Sequence, residues 1–158
     1  MNNKNMTEIS ILERYLANLC VEVEPFAVCL LDRGWRLSLP GPPCAMLHFV
    51  VEGEGWLSCR DGTHTQIGPN WVVIIPAGKD HSLDSREQID QELKIECTPT
   101  GPPIHYINAG TVGPSEMKVG CGTLNVRYGE ALGLFDHLTE LLVIDMSAVP
   151  EVATLFRL

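Results

Sequence analysis

MLHFVVEGEGWLSCRDGTHTQIGPNWVVIIPAGKDH, residues 46–81, is the stretch whose reading decides the fold. Its apolar runs 46–51, 55–59 and 71–75 are short and bounded by Gly, Pro, Asp or Asn, the texture of strands separated by turns. Asp61-Gly62 between residues 55–60 and 63–67 reads as a hairpin, because tight primed turns need positive φ that Gly and Asp supply cheaply. Upstream, the same texture returns in runs 26–31 and 35–39, broken by Asp32-Arg33-Gly34 and followed by Pro40-Gly41-Pro42-Pro43. Downstream, residues 118–128 alternate as a further strand. Strands recurring about every ten residues with such turns predict a sandwich or barrel, hence an all-β fold.

The flanks read differently. From residue 7 to 21, Ile9, Ile11, Leu12, Leu16, Leu19 and Cys20 recur at helical intervals, with Thr7 or Ser10 as candidate caps. Residues 149–158 also read as helical, and Leu132, Leu134, Phe135, Leu138 and Leu141 predict a short helix before an apolar run at 141–144. Residues 84–91 and 98–103 read as surface loops, the second because its prolines interrupt any regular ladder. The resulting division is a helical segment over 1–24, a barrel over 25–146 and the start of a helix over 147–158.

Charge narrows the function. Eleven Lys and Arg stand against twenty Asp and Glu, a net charge of -9, and the cations are scattered. Such a chain repels a phosphate backbone and an anionic membrane, so it is expected not to bind nucleic acid directly. No run is long and apolar enough to span a bilayer, and the polar start lacks the order of a signal peptide, so a cytoplasmic location is expected. The cysteines at 20, 29, 44, 59, 97 and 121 include no CxxC, and buried free thiols are the first reading.

Gly53 and Trp56, followed by Pro76-Ala77-Gly78-Lys79-Asp80-His81, resemble the two-motif pattern of the cupins, double-stranded β-helix (jelly-roll) barrels. Where cupins normally place a glycine six residues before the proline, this chain has Asn70, the commonest other residue at positive φ. Adding Trp35-x-Leu37-x-Leu39-Pro40, His48-Phe49-Val50-Val51 and Cys121-Gly122 makes the pattern similar to the N-terminal ligand-binding domain of AraC-type transcription regulators. The resemblance implies a cupin barrel with flanking N- and C-terminal helices, and the effector-sensing domain of such a regulator. It further implies contact with DNA only through a C-terminal helix-turn-helix domain that has no counterpart in these 158 residues. The uncapped end at Leu158 favours an excised domain over a stand-alone relative.

The first cupin motif departs from pattern: its glutamate position holds Met46, and its histidine pair falls on residues 40–44. The resemblance places His48 on the interior side with Met46, puts His81 at the metal-ligand position of the second motif, and matches Cys121 to a Cys-Gly typical of the subfamily. His48, His81 and Cys121 are therefore the candidate metal ligands, and zinc, which accepts imidazoles and thiolate, is the candidate ion. Trp35, Met46, His48, Trp56 and His81 are the candidate ligand-binding residues, Trp71 is a further aromatic, and no catalytic residue stands out. A small-molecule effector and a homodimer formed through the terminal helices are the expected partners, with no enzymatic activity. The alternative is a metal-dependent cupin enzyme acting on a small organic substrate.

Overall fold

The computed structural model describes residues 10–111, 113–129 and 132–155. Ser10 opens it with a capping box: its hydroxyl accepts from the Glu13 N–H at 3.1 Å while the Glu13 carboxylate accepts from the Ser10 N–H at 2.7 Å. The helix so started, α1 (Ile11–Leu16), buries none of its residues. It ends five residues before the expected limit at 21, and its expected start at residue 7 lies outside the described residues.

The difference has a clear cause. From Leu19 the apolar residues switch to period two, and β1 (Leu19–Leu31) pairs along its whole length with β10 (Met117–Tyr128), so tertiary pairing overrides the helical spacing of Leu16, Leu19 and Cys20. β1 thus runs across the boundary expected at residue 25. Pro25 lies inside β1, at the register shift between Pro25 and Ala27 where a missing N–H is tolerated.

The other strands are β2 (Trp35–Leu39), β3 (Ala45–Glu52), β4 (Gly55–Cys59), β5 (His64–Ile67), β6 (Trp71–Ile75), β7 (His81–Asp84), β8 (Gln91–Lys94), β9 (His105–Ala109), β11 (Leu132–Gly133) and β12 (Leu142–Asp145). They form a larger sheet in the order β12-β6-β3-β10-β1-β9, with β11 on β10, and a smaller one in the order β5-β4-β7-β2-β8. Inward residues of both sheets, among them Cys29, Leu37, Met46, Val50, Leu57, Ile75, Leu83 and Cys121, share one core. The all-β barrel is the architecture observed.

A second cluster lies on the outer face of the larger sheet. Ala45, Ile74, Leu124 and Val126 are covered there by Phe135 and Leu138. That cover is not the predicted helix: after β11 the chain makes turns over 134–137, because its apolar residues need only reach one sheet face. The tail helix is α2 (Pro150–Leu155), and residues 156–158 lie outside the described set.

Two turns show why the motif residues are what they are. Asn70 takes φ 66, the one positive-φ non-glycine residue described, as its place in the glycine position requires. Gly53 takes φ +79, and a Cβ there would overlap the Glu116 carbonyl oxygen.

Candidate functional site

His48 lies mid-strand on β3, opposite Cys121 of β10 and Val73 of β6. Its inward parity, shared with Met46 and Val50, sends the imidazole into the space between the sheets, where it is fully buried. His81 opens β7 of the smaller sheet and points back at it: the two Nε2 atoms are 2.8 Å apart. On its other side, His48 Nδ1 lies 3.0 Å from Cys121 Sγ, and Cys121 Sγ lies 3.2 Å from Cys29 Sγ on β1. His81 Nδ1 meets the Lys79 carbonyl oxygen at 3.0 Å. These contacts join β7, β3, β10 and β1 across the barrel.

The Lys79 carbonyl only accepts, and that orders the protons of the chain. His81 must carry its proton on Nδ1, leaving Nε2 as an acceptor. His48 then donates from Nε2–H, its Nδ1 accepts from the Cys121 thiol, and the Cys29 thiol donates to Cys121. Burial, with a smaller push from His81, holds the His48 pKa well below the usual imidazole range. Burial lowers His81 as well, against the opposing Lys79 carbonyl and Asp80. The Cys121 thiol is pushed far up by burial and by Cys29, so it is a neutral donor rather than a thiolate.

The three expected metal ligands are therefore brought together, but in a line. Cys121 approaches the nitrogen of His48 that faces away from His81. A 2.8 Å N···N separation is a hydrogen bond, shorter than the roughly 3.3 Å between two nitrogens each about 2.0 Å from one tetrahedral ion. Among the described residues no group of three or more His, Cys, Asp or Glu is arranged to hold a metal.

The expected ligand-binding residues are dispersed. Met46 and His48 are core, and Trp35 and Trp71 pack against the same core from its edge. Trp56 faces outward on β4, stacks on His64 with ring centroids 4.5 Å apart, and borders a shallow cavity of about 990 Å³ with Arg86 and Glu116. His81, 4% exposed, borders a second cavity of about 500 Å³. No described cavity brings these five residues together.

The second cavity is built by register. Ser58, Ser82 and Ser38 lie opposite one another across β4, β7 and β2, with Lys94 of β8 continuing the row. Above them Asp84, 1% exposed, takes a bidentate pair from Arg36 at 2.7 and 2.8 Å and a hydrogen bond from Ser58 at 2.9 Å. Asp84 was expected in a surface loop. It is instead the last residue of β7, buried because its carboxylate is satisfied by three donors. Arg60, Asp80 and Glu92 complete the charged rim. Beside it Lys79 pairs with Asp61 at 2.6 Å and Asp80 with Arg60 at 3.3 Å.

Sequence reasoning missed Cys29 and the Arg36–Asp84 pair. The alternation His81-Ser82-Leu83-Asp84, inward for His81 and Leu83 and outward for Ser82 and Asp84, carried a signal for the second. Cys29 carried none beyond strand parity. Of the other groups, His64, His105 and His137 are exposed, as is Cys97, while Cys44 and Cys59 are half-buried. All six cysteines are free, but only Cys29 and Cys121 are buried, so the expectation of buried thiols holds for those two.

A family model described as a cupin matches residues 11–158, and the chain belongs to that family. Two solved structures are similar at a distance. Apo ToxT from Vibrio cholerae is 10% identical with a TM-score of 0.42, over 87% of this chain and 45% of that one. The protein YhaK from Escherichia coli is 12% identical with a TM-score of 0.36, over 80% of this chain and 40% of that one. The chain spans less than half the length of either. No curated protein matches the sequence significantly. No helix among the described residues is long and apolar enough to cross a membrane.

Proposed function

We propose that the chain is the effector-sensing domain of an AraC-type transcription regulator, cytoplasmic and homodimeric, binding a small molecule without transforming it. One observation carries the reading: a cavity lined by hydroxyls, cations and carboxylates lies on the outer face of β2, β4, β7 and β8, and it borders His81, whose inward imidazole is the first member of a neutral hydrogen-bond chain that crosses the barrel to β1. A ligand seated against β7 that shifts this strand weakens the His81–His48 bond, and the state in which that bond is broken differs from the resting one where β7 meets β3. Differential affinity for the two states is what a sensor requires.

Arg36, Arg60 and Lys94 opposite Asp80 and Glu92 suit a polar, zwitterionic or hydroxylated effector. The test is a thermal-shift screen of amino acids, hydroxy acids and small sugars against the wild type and Ser82→Val. A ligand present at 100 times its Kd adds about 2.7 kcal/mol of stability. A hit that the Ser82 variant loses supports the cavity. Hits unaffected by Ser82 and Lys94 substitutions place binding elsewhere.

The metal-dependent enzyme remains as a second reading because the two Nε2 atoms face each other and each ring is fixed from behind, as in histidines that ligate metals. It requires the rings to part and His48 to change tautomer, with Cys121 orienting His48 instead of sharing the ion. Stoichiometric zinc in protein purified without an imidazole column, with loss of thermal stability on chelation, would support the metal site that this reading requires. Zinc-free protein of full stability leaves the hydrogen-bonded chain as the resting state.

A further inference from the structure

The larger sheet has a strand edge with half of its length open. β9 covers β1 only from Ala27 to Leu31, and among the described residues no backbone group bonds the outer side of residues 19–24. This open half is exposed and partly apolar, Val21 at 58% and Val23 at 41%. Exposed edges of this kind are normally blunted by charge, by a bulge or by a covering segment. Here the bulge at Pro25 and Glu24 lie at the far end of the open half, and the nearer glutamate is drawn toward its own chain, since Glu22 accepts from Asn125 at 3.1 Å and meets Arg127 at 3.5 Å.

We infer that the open edge of β1 pairs antiparallel with the same edge of a second copy, extending the larger sheet through a twofold axis at Val21. The inference rests on the homodimer proposed above and places its interface on this edge, where the sequence alone pointed to the terminal helices. The slot is bounded by the end of α1 at one side and the start of β9 at the other, so its centre lies near residues 21 and 22. Face matching allows the axis to fall on a residue, not between two. An axis at Glu22 would set Glu22 against its own copy. An axis at Val21 sets Val21 against Val21, Leu19 against Val23, and Glu22 against Cys20, with no glutamate facing a glutamate.

The same twofold brings the α1 end of one copy beside the β9 start of the other. Each end carries unpartnered apolar side chains: Leu12 and Leu16, 64% and 53% exposed, at the first, and Ile104 and Tyr106, 38% and 68% exposed, at the second. A self-complementary interface of this kind closes on itself and does not propagate into fibres. Leu19, Val21 and Val23 share the face of Leu124 and Val126, so pairing continues the outer cluster across the axis.

The test uses the full chain. Light scattering after size exclusion should give twice the 17.4 kDa chain mass at micromolar concentration, and Val21→Glu with Val23→Glu should halve it with unchanged circular dichroism. Because the glutamates also change surface charge, a second variant supplies geometry: Val21→Cys in a Cys20→Ser background should form an intermolecular disulfide under mild oxidation, and Val23→Cys in that background should form much less. A dimer that survives both glutamates and forms no disulfide through position 21 overturns this interface while keeping the homodimer. A monomer at every concentration overturns both. Effector binding, read by thermal shift, is unaffected by either result.

Discussion

The His48 imidazole makes the stability of this fold depend on pH between pH 7 and pH 5. Unfolded, the ring takes a proton near pH 6.5; folded, burial keeps it neutral far below that. Falling pH therefore favours the unfolded state, and stability is lost progressively below pH 6.5. If the folded ring stays neutral throughout, the loss between pH 7 and pH 5 is about 2 kcal/mol. His81 adds a smaller loss of the same sign, since its depression is opposed by the Lys79 carbonyl and Asp80. Glu116, held down by Arg86, and Asp145, held down by Ser147, titrate below this window, as does Asp61 beside Lys79. The assay is urea unfolding followed by fluorescence of Trp35, Trp56 and Trp71 at pH 7, 6 and 5, in the wild type and in His48→Gln. The variant should be less stable at pH 7, because it leaves His81 and Cys121 with poorer partners, yet its loss on going to pH 5 should be smaller by about 2 kcal/mol. Equal pH slopes in the two proteins would refute the buried neutral ring.

Nitrogen chemical shifts of the two rings should show His81 protonated on Nδ1 and His48 on Nε2; the reverse pattern at His48 would mean that Cys121 accepts and that something else separates the Nε2 atoms. Gly53→Ala should cost about 2 kcal/mol or more, since it combines a positive φ with a collision against the Glu116 carbonyl, whereas Gly62→Ala, at φ +91 with nothing within 4 Å, should cost about 1 kcal/mol, both read by chemical denaturation. Arg36→Ala should destabilise more than the double variant with Asp84→Ala, because the single change strands a carboxylate that is 1% exposed; additive single losses in the double-mutant cycle would show that the pair is not coupled. Ser10→Ala should fray α1, read as lost amide protection, while leaving global unfolding unchanged, since the helix buries nothing.

Local chemistry in the sequence determined the strand and turn pattern. Asp61-Gly62, Gly53 and Asn70 each specify a backbone conformation that few residues accept, and the alternation of apolar residues in β3, β4 and β6 is visible without any partner. Parity also put His48 on one face with Met46, and the family resemblance made that face the interior. What only the tertiary structure decided is whatever depends on pairing. Residues 19–24 carry both a helical and an alternating reading, and it is the ladder with β10 that makes them a strand. His48, His81, Cys121 and Cys29 are separated by tens of residues, and whether they surround a point or form a line depends on how two sheets stack, a distance of ångströms that spacing along the chain does not encode. Asp84 is polar and opens a stretch of loop-like composition, yet it is buried, because three donors from β2 and β4 reach it only once those strands lie beside β7.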